Sequence, residues 1–160
     1  MKVIDNFLPK EEFLKLQNAF MSQEMPWYFQ PSINKNHRKS DLDCYFTHGL
    51  YYQNHGYSNY FDHVRPIVKS INPKALIRIK ANLYVKTEKI EIHKPHVDYE
   101  YKHKGAIFYV NTNNGKTILH DGTKIDSVGN RLLLFDSNKE HSSSSTTDSK
   151  CRVNINFNYF

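Results

Sequence analysis

The chain has 160 residues, 39% of them apolar, which is enough to close one hydrophobic core and too few for two, so a single domain spanning 1–160 is expected. Aromatic residues make up 14%, with 11 Tyr and 10 Phe against 6 Gly and 6 Pro, which excludes a disordered or fibrous composition and favours a folded, strand-rich protein. The formal charge of +6 comes from scattered Lys and Arg interspersed with Asp and Glu, so nucleic acid is a possible partner but not an implied one.

In chain order, Val3 and Ile4 read as a short strand. After Pro9, the apolar stripe Phe13, Leu14, Leu16, Gln17 and Phe20 predicts a helix of about three turns. Residues 22–57 carry Pro26, Trp27 and Pro31 and show no clean period, which predicts irregular structure or short strands bordering a pocket. A second helix is predicted after Ser58 from Tyr60, Val64, Ile67 and Val68, stopping near Asn72-Pro73, because the residue before proline disfavours helix. Beyond it lie strand patterns at 75–85, 106–110, 116–119, 131–135 and 152–159, with turns expected at Asn113-Asn114-Gly115 and Val128-Gly129-Asn130. Two helices followed by a run of strands predict a mainly β (α+β) fold, an antiparallel sandwich or barrel with the helices laid on one sheet. The Ser142 to Ser145 run lacks the glycines and lysine of a phosphate loop and reads as a solvated loop, as does the basic stretch Lys35-Asn36-His37-Arg38-Lys39.

The central chemical feature is His96-Val97-Asp98, since in an extended strand residues i and i+2 share a face and would aim an imidazole and a carboxylate at one point. Two His and one carboxylate on one side leave the opposite metal positions open, the arrangement of non-haem Fe(II) oxygenases, and require a third ligand distant in sequence. His141 is the first choice, 43 residues after Asp98 and 11 before Arg152, with His120 and His103 as rivals. A pairing of His93 with His96 is disfavoured because a spacing of three puts them on opposite strand faces. In the final strand, strict alternation puts Arg152 and three Asn on one face and Val153, Ile155, Phe157 and Tyr159 on the other. A guanidinium sent inward needs a counter-charge, and a bound dicarboxylate would supply one.

These residues resemble the 2-oxoglutarate and Fe(II)-dependent oxygenases of the prolyl hydroxylase type. The opening Val3-Ile4-Asp5-Asn6-Phe7-Leu8 before a helix is similar to the family's N-terminus, and the series His96-x-Asp98, His141, Arg152 matches its ligand and co-substrate motif. The resemblance implies a double-stranded β-helix, or jelly roll, with Fe(II) held by His96, Asp98 and His141. It further implies 2-oxoglutarate as co-substrate, with its far carboxylate on Arg152 and hydrogen bonds from Tyr84 and Tyr109, and ascorbate as reductant. The sequence departs from the family pattern at Asn114-Gly115-Lys116-Thr117, where a paired glycine before the threonine is usual, and the 12-residue gap from Tyr84 to His96 is longer than usual.

The activity so implied is hydroxylation of a residue in a protein or peptide, or of a small molecule, with release of succinate and CO2. An alternative is oxidative demethylation of a nucleic-acid base, since Arg152-Val153-Asn154-Ile155-Asn156-Phe157 is similar to that branch's last strand, although its second Arg falls at Asn158. A non-catalytic jelly-roll binding module is the reading from another class. The loops at 86–95 and 99–104, with Lys86, Lys89, Lys94, Tyr99, Tyr101 and Lys102, are expected to cover the substrate. Two cysteines without disulfide spacing, an N-terminus lacking an apolar leader and no stretch near the roughly 20 apolar residues of a membrane span make a cytoplasmic, membrane-free setting the expectation.

Overall fold

A computed structural model describes residues 1–32 and 44–160; the basic stretch 35–39 lies outside the described residues. The elements run β1 (Lys2–Ile4), α1 (Lys10–Phe20), β2 (Tyr28–Gln30), β3 (Tyr45–Tyr52), β4 (His55–Gly56), α2 (Phe61–Ile71), β5 (Leu76–Val85), β6 (Lys104–Tyr109), β7 (Asn113–Leu119), β8 (Lys124–Ser127), β9 (Arg131–Asp136), β10 (His141–Ser143) and β11 (Cys151–Tyr159). The helices form where the periodicity places them. Glu11 and Glu12 sit in the first turn of α1, where negative charge favours the helix dipole. Asn72 ends α2 in the left-handed region at φ 49°, donating its backbone N–H to the Val68 carbonyl.

The large sheet is ordered β1-β9-β6-β11-β5-β3-β2, with β4 on β3, and the small sheet β10-β7-β8; these strand pairings are antiparallel. Both helices lie on one face of the large sheet. There Leu16 and Phe20 of α1 and Val64 and Ile67 of α2 bury against Ile79, Phe108, Leu132, Val153, Ile155 and Phe157. Burial of these side chains contributes on the order of 1.5–3 kcal/mol each and holds the helices in place.

The opposite face of the large sheet meets the small sheet and is chemically divided. On the β6 and β9 side, Ile107, Tyr109, Leu133 and Phe135 pack against Leu119 and Ile125 as a second core. On the β5 and β11 side the same face is polar. Residues of β5 pair directly with those of β11 as Tyr84 with Arg152, Asn82 with Asn154, Lys80 with Asn156 and Arg78 with Asn158. The fold is therefore a jelly roll, filled at one end by hydrocarbon and at the other by polar side chains around a cavity.

Several expected loops are instead part of the pairing. Asn113-Asn114-Gly115 is no turn: it opens β7, with an irregular register between Asn113 and Lys116. The Asn113 side chain accepts the Gly115 N–H at 3.0 Å and Asn114 bonds Thr147, so turn-type residues are used for local capping within a strand. The Ser142 to Ser145 run is not a solvated loop either. Ser142, Ser144, Ser145 and the following Thr146 are buried, their backbone bonded to β7 and to 86–93, and the hydroxyls of Ser144, Ser145 and Thr146 are satisfied locally. Segment 86–95 is correspondingly a wall rather than a loose loop, since Thr87, Glu91 and His93 exchange backbone or hydroxyl bonds with Ser143, Ser145 and Thr146. Val128-Gly129-Asn130 does turn the chain, with Asn130 at φ 63°, but it passes from the small sheet to the large one rather than closing a hairpin. Within 22–57 the surprise is β3, eight residues long, whose His48, Gly49 and Tyr52 disguise its period.

Candidate metal centre and co-substrate cavity

His96, Asp98 and His141 come together, each offering a ligand atom within 4.8 Å of the others. The expected route to this convergence was alternation along a strand, but His96-Val97-Asp98 lies outside every named strand. His96 is instead fixed by an isolated bridge to His141, with backbone N–H to carbonyl bonds of 3.0 Å in both directions. That bridge sets the imidazoles side by side, ring centroids 4.7 Å apart. His141 donates from Nδ1 to the Lys139 carbonyl at 3.1 Å, which turns Nε2 toward Asp98 Oδ2, 3.8 Å away.

The donor set fits a divalent cation. His141 Nε2 is buried with no hydrogen-bond partner, 3.8 Å from Asp98 Oδ2, a costly state that a metal ion held among the three residues relieves. Burial first, and the neighbouring His141, lower the His96 pKa, which favours the neutral imidazole that ligates. Burial alone would raise the Asp98 pKa. The Arg78 and His141 charges and bonds from Ser137 and Asn158 outweigh it and hold the carboxylate well below its usual range. Asp98 Oδ1 accepts from Arg78 at 2.9 Å, and Oδ2 from Ser137 at 2.6 Å and Asn158 at 2.8 Å.

The rival histidines are placed elsewhere. His103 is buried behind Asp98, donating to the Tyr101 carbonyl and facing Asn158 Nδ2. His120 is exposed beyond the end of β7. His93 stacks on Tyr84 at 5.1 Å and contacts Ser143 Oγ at 2.7 Å, outside the ligand group.

A cavity of about 330 Å³ adjoins the three ligands and runs between the sheets, with Asn82, Tyr84, Thr117 and Asn154 on its walls. Arg152 is not among its lining residues; it is fully buried and bonded to the lining residue Thr117. Its donors reach Ser127 Oγ at 2.7 Å, Thr117 Oγ1 at 3.1 Å and, more weakly, the Ser144 carbonyl at 3.5 Å. Among the described residues no carboxylate pairs with it. A buried guanidinium held only by neutral groups fits a bound anion such as the far carboxylate of 2-oxoglutarate.

Thr117 is the link between Arg152 and the cavity. Its Oγ1 accepts both the Arg152 fork and the Tyr109 hydroxyl at 2.8 Å, so its own hydrogen remains to donate to a ligand. Tyr109 itself is fully buried behind Thr117 and does not line the cavity. Tyr84 does line it, stacked between Tyr45 and His93, and burial raises its pKa, which keeps the phenol a donor. Gly115 makes room for this arrangement, because a Cβ there would stand 2.5 Å from Arg152 Cδ.

Sequence reasoning missed Arg78, Lys80, Ser137 and the tie from Asn158 to Asp98. Arg78 and Lys80 were readable by the same period of two that exposed Arg152, applied to β5. Ser137 carries no signal of its own, since it follows the end of β9 and reaches Asp98 only through the fold.

No protein-family model and no curated protein matches the sequence. Solved structures do match in fold. One is a prolyl hydroxylase from Trichoplax adhaerens in complex with a hypoxia inducible factor oxygen degradation domain peptide fragment, with TM-score 0.69, 16% identity and coverage of 99% of this chain and 82% of that one. Another is a viral collagen prolyl hydroxylase from Paramecium Bursaria Chlorella virus-1, with TM-score 0.63, 15% identity and coverage of 98% and 93%. A third is a Pseudomonas putida prolyl-4-hydroxylase, with TM-score 0.61, 12% identity and coverage of 99% and 91%. The chain has the prolyl hydroxylase-like jelly-roll fold.

Proposed function

We propose that this protein is an Fe(II)- and 2-oxoglutarate-dependent oxygenase of the prolyl hydroxylase type that hydroxylates a residue in a protein or peptide. The observation that carries the reading is a two-His, one-carboxylate group on a cavity that also reaches Thr117, the hydroxyl that binds the fully buried Arg152. The fold is shared with a hydroxylase that holds a peptide, which supports a protein or peptide substrate over a small molecule.

His96, Asp98 and His141 would hold the iron beside the cavity that all three line. Iron supplies the activation of dioxygen, coupled to decarboxylation of 2-oxoglutarate to succinate. The chain's own part is positioning. Arg152 and Thr117 grip the far carboxylate, Tyr84 donates from the side, and residues of β5 and β10 wall the cavity against stray water. No side chain has to act as nucleophile or general base.

The test is succinate formation from 2-oxoglutarate under air with Fe(II) and ascorbate, without the true substrate. Turnover in the wild type that is lost in His96→Ala and Arg152→Ala is the expected result. A wild type that binds neither Mn(II) nor 2-oxoglutarate overturns the reading and leaves a jelly-roll binding module.

A further inference from the structure

The cavity has a second cationic end. Lys80 lies on the same face of β5 as Tyr84 but four residues earlier, roughly 13 Å along the strand. Among the described residues no hydrogen bond joins Lys80 to the Arg152 and Thr117 group.

Its surroundings are one-sided. Lys80 Nζ donates to Tyr45 Oη at 3.3 Å and sits 5.4 Å from the centre of that ring. Arg78, the neighbouring cation on this face, is engaged with Asp98. Among the described residues Lys80 has no carboxylate partner. Tyr45 accepts from Lys80, so its own hydrogen is left to donate, and burial pushes its pKa up to about 12, which keeps that hydrogen in place. Directly across the strand pair from Lys80, Asn156 Oδ1 is buried without a partner and lacks a donor. All three side chains line the cavity.

We propose that Lys80 and Tyr45 bind an anionic oxygen group of the substrate, carboxylate or phosphate, whose neighbouring N–H or O–H is accepted by Asn156 Oδ1. An ammonium and a phenol present hydrogens to one point, while an amide oxygen beside them asks for one, which is complementary to an acidic or phosphorylated amino-acid residue. The substrate class follows from the oxygenase reading, but the anion site stands on this chain's own residues.

Three probes separate the chemistries: N-acetyl-aspartate amide, N-acetyl-O-phosphoserine amide and the neutral N-acetyl-asparagine amide. Each is titrated into the metal-free protein and again with diamagnetic Zn(II) and 2-oxoglutarate present, following backbone amide NMR shifts. An acidic or phosphorylated probe is expected to bind about tenfold or more tightly than the neutral one. The preference disappears in Lys80→Met, persists in Lys80→Arg and survives addition of 2-oxoglutarate; both variants are checked for wild-type shift dispersion. Whichever anionic probe binds more tightly identifies the group. Equal affinity for charged and neutral probes, no binding of any probe, an unchanged preference in Lys80→Met, or displacement by 2-oxoglutarate overturns the proposal. Failure of the oxygenase reading shows separately, as no Mn(II) or 2-oxoglutarate binding while the anion preference stays intact.

Discussion

Arg78 Nη2 stands 2.9 Å from Asp98 Oδ1, so the carboxylate of the candidate metal centre is already held by a protein cation. Asp98 is buried and Arg78 about one quarter exposed. Removing Arg78 leaves a buried carboxylate with only Ser137 and Asn158, at a cost of about 2 kcal/mol once solvent access is discounted. Arg78→Met should lower the melting temperature of the metal-free protein by roughly 4–8 °C. With saturating Mn(II) the difference should shrink, because the ion takes over the carboxylate. Paired thermal scans with and without metal check this, and an equal loss in both would show that Asp98 does not ligate.

Thr117 Oγ1 is the acceptor for two buried donors, Tyr109 Oη and Arg152 Nη2. Thr117→Val leaves both unsatisfied and should destabilise the fold by about 2–3 kcal/mol. Tyr109→Phe removes one bond and leaves Thr117 serving Arg152, so about 1 kcal/mol is expected. Urea unfolding of the two variants and their double mutant should show a clear departure from additivity.

Gly115 is constrained by space. An added Cβ would meet Arg152 Cδ at 2.5 Å and the Ser145 carbonyl at 2.7 Å, and the second of these is backbone that cannot swing aside. Gly115→Ala should cost about 1–3 kcal/mol. By displacing Arg152 it should also weaken 2-oxoglutarate binding by roughly tenfold, as a shift of that size in a charge-assisted bond implies. Calorimetric titration of 2-oxoglutarate into the Mn(II) protein reads the second effect separately from the first.

His93 makes the metal-free protein acid-sensitive. Burial first, then the Arg152 and His96 charges, depress its pKa from 6.5 to about 3. The unfolded chain therefore takes up a proton below pH 6.5 that the folded chain refuses. The stability this neutral His93 contributes is complete above pH 6.5 and is lost as pH falls toward 3. Between pH 7.5 and 5.5 the loss is about 1.4 kcal/mol. His96 is shifted in the same direction and adds to it. Urea unfolding of His93→Gln at the two pH values should show a smaller loss than the wild type, and identical losses would place His93 in solvent.

The sequence by itself determined much of the plan. Apolar spacing fixed α1 and α2, since burial of Leu16, Phe20, Val64 and Ile67 needs a helical period whatever surrounds them. The alternation in β11 determined that Arg152, Asn154, Asn156 and Asn158 would share one polar face, because side chains along a strand point alternately to its two sides. His96, Asp98, His141 and Arg152 were legible as chemistry from their residue types and order, although His96 and Asp98 are not aligned by a strand. What only the tertiary structure decided lies in contacts between segments far apart in the chain. The bridge from His96 to His141, the hold of Arg78 and Ser137 on Asp98, and the placement of Thr117 between Tyr109 and Arg152 have no local period to announce them. The Ser142 to Ser145 run shows the limit most directly. Its hydroxyl-rich composition suits water, yet pairing with β7 and 86–93 satisfies its polar groups inside the protein, and composition alone cannot say which partner a polar group will find.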